Sequence, residues 1–295
     1  MKNLLKIMTL FLVIATLNFA NDKKYNRIAT INLSSDEMIL NLVSSSRIVG
    51  LSGMITEDED MSNVCNIAKS YTKIEGNIET LLNLEPDLVI GADWIKKEQL
   101  QQIEDSGIDT YIYKTPKTFE EQKEVILKLA DLVEEKEKGI AITKNMDIRL
   151  KKLQKKIKLE NKGILKIMLY TSLETTSGKE TTFDEFLRLI GGINPVSEAG
   201  IIGEVKISKE TLIDIDPDII IVPIWKGHIN SEEFMNFLVN DESFKNIRAV
   251  KNKKIYGIPF KKLSPTSQYM IDGIEYLGEK IYGLEREQDD NRKEI

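Results

Sequence analysis

A sixteen-residue stretch of this chain occurs twice. Residues 79–94 read ETLLNLEPDLVIGADW and residues 210–225 read ETLIDIDPDIIIVPIW, an ungapped offset of 131 residues. Seven of the sixteen positions are identical and six more are conservative, where ordinary residue usage gives roughly one identity by chance. In each copy a cap-forming residue, Asn77 or Ser208, precedes a short amphipathic stretch that stops at Glu85-Pro86 or Asp216-Pro217. The apolar runs that follow, residues 88–90 and 219–222, read as parallel strands covered on both faces. Two copies are too few for a solenoid. They predict two similar α/β lobes, and 295 residues leave each lobe room for its own core.

The chain opens with Lys2 and Lys6, an apolar run over residues 7–17, and then Asn18-Phe19-Ala20. This is the pattern of a secretory signal peptide, residues 1–20, and the run is too short to span a bilayer. The polar residues 21–24 argue against a first buried helix. Cleavage after Ala20 removes Lys2 and Lys6 and takes the net charge from −6 to −8. No Cys lies near that point to accept a lipid anchor, so the mature protein is expected free in the periplasm. The single Cys65 has no internal disulfide partner and reads as buried filler or as a reactive thiol. The negative balance, with Lys interleaved among Glu and Asp, excludes a general nucleic-acid binder.

Strand–helix alternation over residues 25–117 predicts a mostly parallel sheet flanked by helices. Residues 27–31, 48–51, 88–90 and 109–113 are its strands, and the polar stretch 53–73 reads as a loop over a binding site. Residues 118–160 show helical spacing with no turn signal except Gly139. They predict one long linking helix, bent or broken near that glycine, able to reach about 60 Å. The heptad pattern of a coiled coil is not held. Residues 162–284 repeat the lobe pattern, with strands at 165–170, 219–222 and 254–258 and a last helix over 266–282. The tail 285–295 is charged and polar, the composition of a disordered end.

Enzyme chemistry finds little support. His228 is the one His, there is no Gly-x-Ser-x-Gly turn, and Gly191-Gly192 ends a helix where a phosphate loop opens one. One His also argues against a site for free zinc or manganese.

Several segments together carry a resemblance. They are residues 77–90, Thr176-Ser177-Gly178-Lys179-Glu180, Gly191-Gly192-Ile193-Asn194, Ser208-Lys209-Glu210 with Asp216-Pro217-Asp218, and Lys253-Lys254-Ile255-Tyr256. In this order and spacing the chain resembles the periplasmic solute-binding proteins that feed iron-complex and vitamin B12 ABC importers. The resemblance covers nearly the whole mature chain. It implies the class III arrangement of two lobes joined by a rigid helix, a monomer without a cofactor, and a small-molecule cargo held between the lobes. The cargo so implied is a siderophore, haem or a corrinoid, delivered to a permease dimer in the inner membrane. A secreted interaction protein on the same fold is the distant alternative, expected to have a filled cleft and an exposed apolar patch.

Ligands of parallel α/β sheets bind outside the carboxyl ends of the strands. By that rule Ser34, Ser35, Trp94, Lys114, Tyr170, Ser172, Trp225, Phe260 and Lys261 are candidate ligand contacts. Lys226 and Lys262 are further candidate cations for an anionic cargo. Trp94 and Trp225 hold matching places in the two copies, either stacking on a flat ligand or packing into their own lobes. His228 is a candidate axial ligand to haem iron or a plain surface residue. Glu79 and Glu210 also match, each two residues after its cap. A carboxylate there complements the helix dipole, and the resemblance implies a second role, docking on arginines of the permease.

Overall fold

The computed structural model describes residues 25–225 and 231–284. The expected signal peptide over residues 1–20, the tail 285–295, Lys226 and His228 lie outside the described residues. The N-terminal lobe runs β1 (Ile28–Thr30), α1 (Leu33–Leu42), β2 (Ile48–Gly50), α2 (Cys65–Ala68), α3 (Ile78–Asn83), β3 (Leu88–Ala92), α4 (Lys97–Asp105) and β4 (Asp109–Tyr113). Its sheet has the order β2-β1-β3-β4 with every pair parallel. The chain therefore reverses its direction of travel across the sheet between β1 and β3, and the crevice above that point is where such folds take ligands.

Each copy of the repeat forms the same construction. Asn77 accepts the Glu79 and Thr80 N–H groups at 2.8 and 3.3 Å, capping α3. Glu85, left-handed at φ 43°, and Pro86 then stop the helix. The Asp87 carboxylate accepts the N–H groups of Asn26 (2.8 Å) and Arg27 (3.0 Å), just before β1.

Two helices follow, α5 (Phe119–Leu132) and α6 (Lys136–Glu160). The single helix expected over residues 118–160 is thus two, and the break falls at residues 133–135, before Gly139. Glu134 takes the left-handed conformation (φ 59°), and the Glu135 N–H reaches back to the Ala130 carbonyl at 2.7 Å. A left-handed Glu costs about 1–2 kcal/mol, offset by the packing of α6 back along α5. Lys123 on α5 pairs with Asp147 on α6 at 2.7 Å, which fixes the antiparallel arrangement. Gly139 is helical and sits at the closest approach, where an added Cβ would lie 2.4 Å from the Ala130 Cβ. The helix that joins the lobes is therefore α6, of 25 residues and about 37 Å, instead of the 60 Å rod.

The C-terminal lobe runs β5 (Ile167–Leu169), β6 (Thr175–Ser177), α7 (Thr182–Leu189), α8 (Pro195–Glu198), β7 (Glu204–Lys206), α9 (Lys209–Ile215), β8 (Ile219–Ile224), α10 (Ser231–Asn240), α11 (Arg248–Lys251), β9 (Ile255–Pro259) and α12 (Met270–Tyr282). The order β5-β8-β9 is again parallel, while β6 and β7 form a separate antiparallel pair. Ser208 caps α9 through the Thr211 N–H (3.2 Å). Asp216 is left-handed at φ 45°, and Asp218 accepts the Lys166 N–H (2.8 Å) just before β5.

The cores are not wholly separate. One cluster runs from Met38 and Ile126 on the N-terminal side through Leu153 on α6 to Phe186 and Leu277 on the other, while smaller clusters cover the outer face of each sheet. Arg149 on α6 reaches Asp272 and Glu275 on α12, binding the linking helix to the second lobe. Among the described residues no helix is long and apolar enough to cross a membrane. Because the α5–α6 contact has no room for a side chain at position 139, Gly139→Val should lower the unfolding free energy by about 1–3 kcal/mol. Chemical denaturation reads this directly, and a wild-type midpoint would mean that the two helices are free to part.

Candidate functional site

Side chains from the start of α1 bond to groups at the tips of β1 and β4 and just after β2. Asn32, the N-cap of α1, donates from Nδ2 to the Tyr113 hydroxyl (3.0 Å) and accepts from the Ser35 hydroxyl. The Ser35 and Tyr113 hydroxyls are themselves 3.2 Å apart. This buried triad ties the tips of β1 and β4 together across β3. One residue on, Asp36 accepts from the Thr30 hydroxyl and from the Ser52 N–H (3.1 Å) and hydroxyl (2.5 Å), holding the segment after β2.

A cavity of about 660 Å3 opens on these tips. The N-terminal lobe supplies Ile31, Asn32, Leu33 and Ser34, then Ser52, Gly53, Met54, Ile55 and Glu75, then Ala92, Trp94, Tyr113 and Thr115. Phe260, Ser264 and Thr266 close it from the C-terminal lobe, so it lies between the lobes. The segment carrying Met54 and Ile55 is held by Glu75, which accepts the Met54 N–H at 2.8 Å, and by a Lys73–Glu57 pair at 2.8 Å.

Of the residues singled out from the sequence, Ser34, Trp94 and Phe260 line this cavity. Trp94 is 66% exposed. The Trp225 ring packs on Phe260 with centroids 5.7 Å apart and so backs the far wall. Ser35 is fully buried in the triad and offers nothing to a ligand. Tyr170 is buried too, against Phe234 at 5.9 Å in the outer core of its lobe. Position at a strand end places a residue near the cleft but leaves open which way its side chain turns. Lys114 is exposed and Ser172 half-buried, and neither is on the wall. Tyr113, Ser52, Thr266 and the Met54-Ile55 pair were not singled out. The polar stretch 53–73, which the sequence marks as a loop over a binding site, carries the last of these.

Positive charge is scarce around the cavity: its wall has no Lys or Arg among the described residues. Lys261 spends its Nζ on the Glu59 carbonyl (2.5 Å) and its N–H on the Asp60 carbonyl (3.1 Å). Lys262 pairs with Asp272 at 3.6 Å. The Lys261 contacts, a bond from Lys262 Nζ to Asn63 Oδ1 (3.3 Å), Ser34 to Thr266 and Ser267 to Glu37 stitch the two lobes beside the cavity. Among the described residues no group of three or more His, Cys, Asp and Glu side chains could hold a metal ion. Glu79 and Glu210 are both exposed in first helical turns. A hydrogen bond from the Ser208 hydroxyl holds the Glu210 carboxyl below its usual range.

Residues 28–262 match the sequence family described as periplasmic binding protein. An uncharacterized ABC transporter substrate-binding lipoprotein of Bacillus subtilis (strain 168), YvrC, is 23% identical over 267 residues, 88% of this chain and 81% of that one. A possible iron-binding (periplasmic solute-binding) protein from Staphylococcus epidermidis superimposes with a TM-score of 0.75 at 21% identity, covering 88% of this chain and all of that one. The periplasmic heme-binding protein RhuT from Roseiflexus sp. RS-1 gives a TM-score of 0.73 at 20% identity, covering 88% and 98%.

Burial dominates the titration of the site's floor. It pushes the Asp36 carboxyl up to about 7 against the hydrogen bonds from Ser52 and Thr30, and it raises Glu37 as well. A carboxyl raised above its unfolded value stabilises the fold below about pH 4, and that contribution disappears as pH rises through about 7. The thermal midpoint should therefore fall between pH 5 and pH 8, and Asp36→Asn should flatten that slope. An unchanged slope in the variant would assign the pH dependence to other groups.

Proposed function

The chain belongs to the periplasmic binding protein family, and we propose that it is the substrate-binding component of an ABC importer, capturing an iron complex, a siderophore or haem, between its lobes. The observation that supports this most is the cavity itself, open at the strand tips and flanked by Trp94 on one side and Phe260, backed by Trp225, on the other. Aromatic walls suit a flat ligand, since stacking adds about 0.5–1.5 kcal/mol beyond burial. The heme-binding RhuT and the possible iron-binding protein of S. epidermidis share the fold. A wall without Lys or Arg among its described residues favours a cargo of low charge. A corrinoid fits the same features and is the second reading. A secreted interaction protein is disfavoured by a cavity of about 660 Å3 standing open. We place the protein in the exported compartment, after its leader is removed.

Glu79 and Glu210 are proposed to dock on the permease. Each stands two residues after its N-cap, Asn77 or Ser208, one per lobe, and a spacing set by α6 would suit docking at two points. Exposed charges gain little alone and more when a partner of opposite sign pairs with them.

Mass spectrometry and a visible spectrum of the protein purified from its native host should show an iron chelate or a tetrapyrrole. Trp94→Ala should weaken binding of that cargo by about 1–3 kcal/mol without unfolding the lobe. A colourless, metal-free native ligand would remove the iron-complex reading. For the docking pair, Glu79→Ala with Glu210→Ala should leave cargo affinity intact and abolish uptake in vesicles containing the permease. Normal uptake would return both to a helix-dipole role.

A further inference from the structure

A second cavity, of about 170 Å3, lies between α3 and α4 on the outer side of the N-terminal sheet. It shares Ile31, Asn32, Ala92 and Trp94 with the larger cavity and so adjoins it above the β1–β3 reversal. The rest of its wall is chiefly Ile74, Ile78, Leu81, Ile95 and Ile103, members of the small apolar cluster on that face. Protein interiors are close-packed, and a gap of this size in a cluster of aliphatic side chains departs from that norm.

Three polar side chains of the wall are engaged, and the exposed Lys96 adds one ammonium to it. Asn77 Oδ1 accepts the two α3 N–H groups, Gln99 Nε2 donates to the Gly76 carbonyl (3.3 Å), and Asn32 serves Tyr113 and Ser35. What remains to meet a ligand is mostly carbon. An apolar cavity of about 150 Å3 accepts one benzene ring.

We propose that this pocket is a subsite for a neutral apolar arm of the cargo, a single aromatic ring or a branched alkyl group, while the body of the cargo occupies the larger cavity. The proposal rests on the reading of that cavity as the cargo site. It limits the cargo to an organic complex with a hydrophobic substituent, because a bare oxyanion or a hydrated metal ion has nothing to place among five aliphatic side chains. Trp94, in the wall of both spaces and two-thirds exposed, forms the partition that body and arm would straddle.

The test uses toluene as the probe, titrated into the mature protein and followed by saturation-transfer NMR. Wild type should bind toluene, and Ile78→Phe, which fills the pocket from the first turn of α3, should weaken it at least tenfold. Ile95→Ala, which enlarges the pocket, should bind naphthalene at least tenfold more tightly than wild type does. This gain cannot come from misfolding. No toluene binding to wild type, equal binding to the filled variant, or no gain for naphthalene would overturn the subsite. Haemin titrated in parallel reads the larger cavity. Toluene binding without haemin binding keeps the subsite and removes haem as the cargo, whereas haemin binding without toluene binding overturns the subsite.

Discussion

Asp87 and Asp218 do the same work in the two lobes, and the sheets depend on it. Each carboxylate follows a left-handed residue and a proline at the start of a central strand, and the chain just before the neighbouring strand donates two backbone N–H groups to Asp87 and one to Asp218. Such charge-assisted bonds are roughly twice as strong as neutral ones. They fix where β3 begins against β1 and where β8 begins against β5. A slip of one residue would turn every side chain to the opposite face. Two arginines complete the joints: Arg27 donates to the Leu84 and Glu85 carbonyls, and Arg248 to Asp216 and Asp218. Because the strand starts are fixed, so are the tips at the other end, and the cavity is built from tips.

The repeat was therefore a legible signal for structural reasons of its own. Its Glu-Pro-Asp and Asp-Pro-Asp steps, its caps and its apolar strands all have local causes, and they foretold both lobes and both parallel sheets. The antiparallel pair β6–β7 went unseen because Thr175-Thr176-Ser177 has the composition of a loop. The break in the helical segment was misplaced because Glu134 carries no turn signature, while the one glycine nearby serves a helix crossing. Within the site, Trp94 and Phe260 could be found from strand ends alone. Tyr170 and Ser35 sit at equally suitable positions but turn inward, a choice made by tertiary packing. Tyr113 could not be told from a core residue, and it is both.

Positive charge in this protein works at the seam and is absent from the described residues of the cavity wall. Lys261 and Lys262 are candidate anion ligands by sequence position, yet they hold the loop over residues 59–63 and α12. Arg149 joins α6 to α12 with two carboxylates. The cavity wall is left with hydroxyls, aromatic rings, aliphatic side chains, the Asn32 amide and the single carboxylate of Glu75 among its described residues. Selection by such a wall comes from shape and desolvation more than from ion pairing.

Glu37 shows what joining the lobes means for the order in which the chain can be completed. Its buried carboxylate accepts from Asn63 twice at 2.9 Å, and from Ser267, which lies 230 residues further along. At roughly 5–20 residues per second, a ribosome needs on the order of 10–50 s to make that stretch. Throughout that interval the Glu37 carboxylate lacks the hydroxyl of Ser267. The first lobe to emerge is thus the last to be finished, since a serine close to the end of the chain completes its floor.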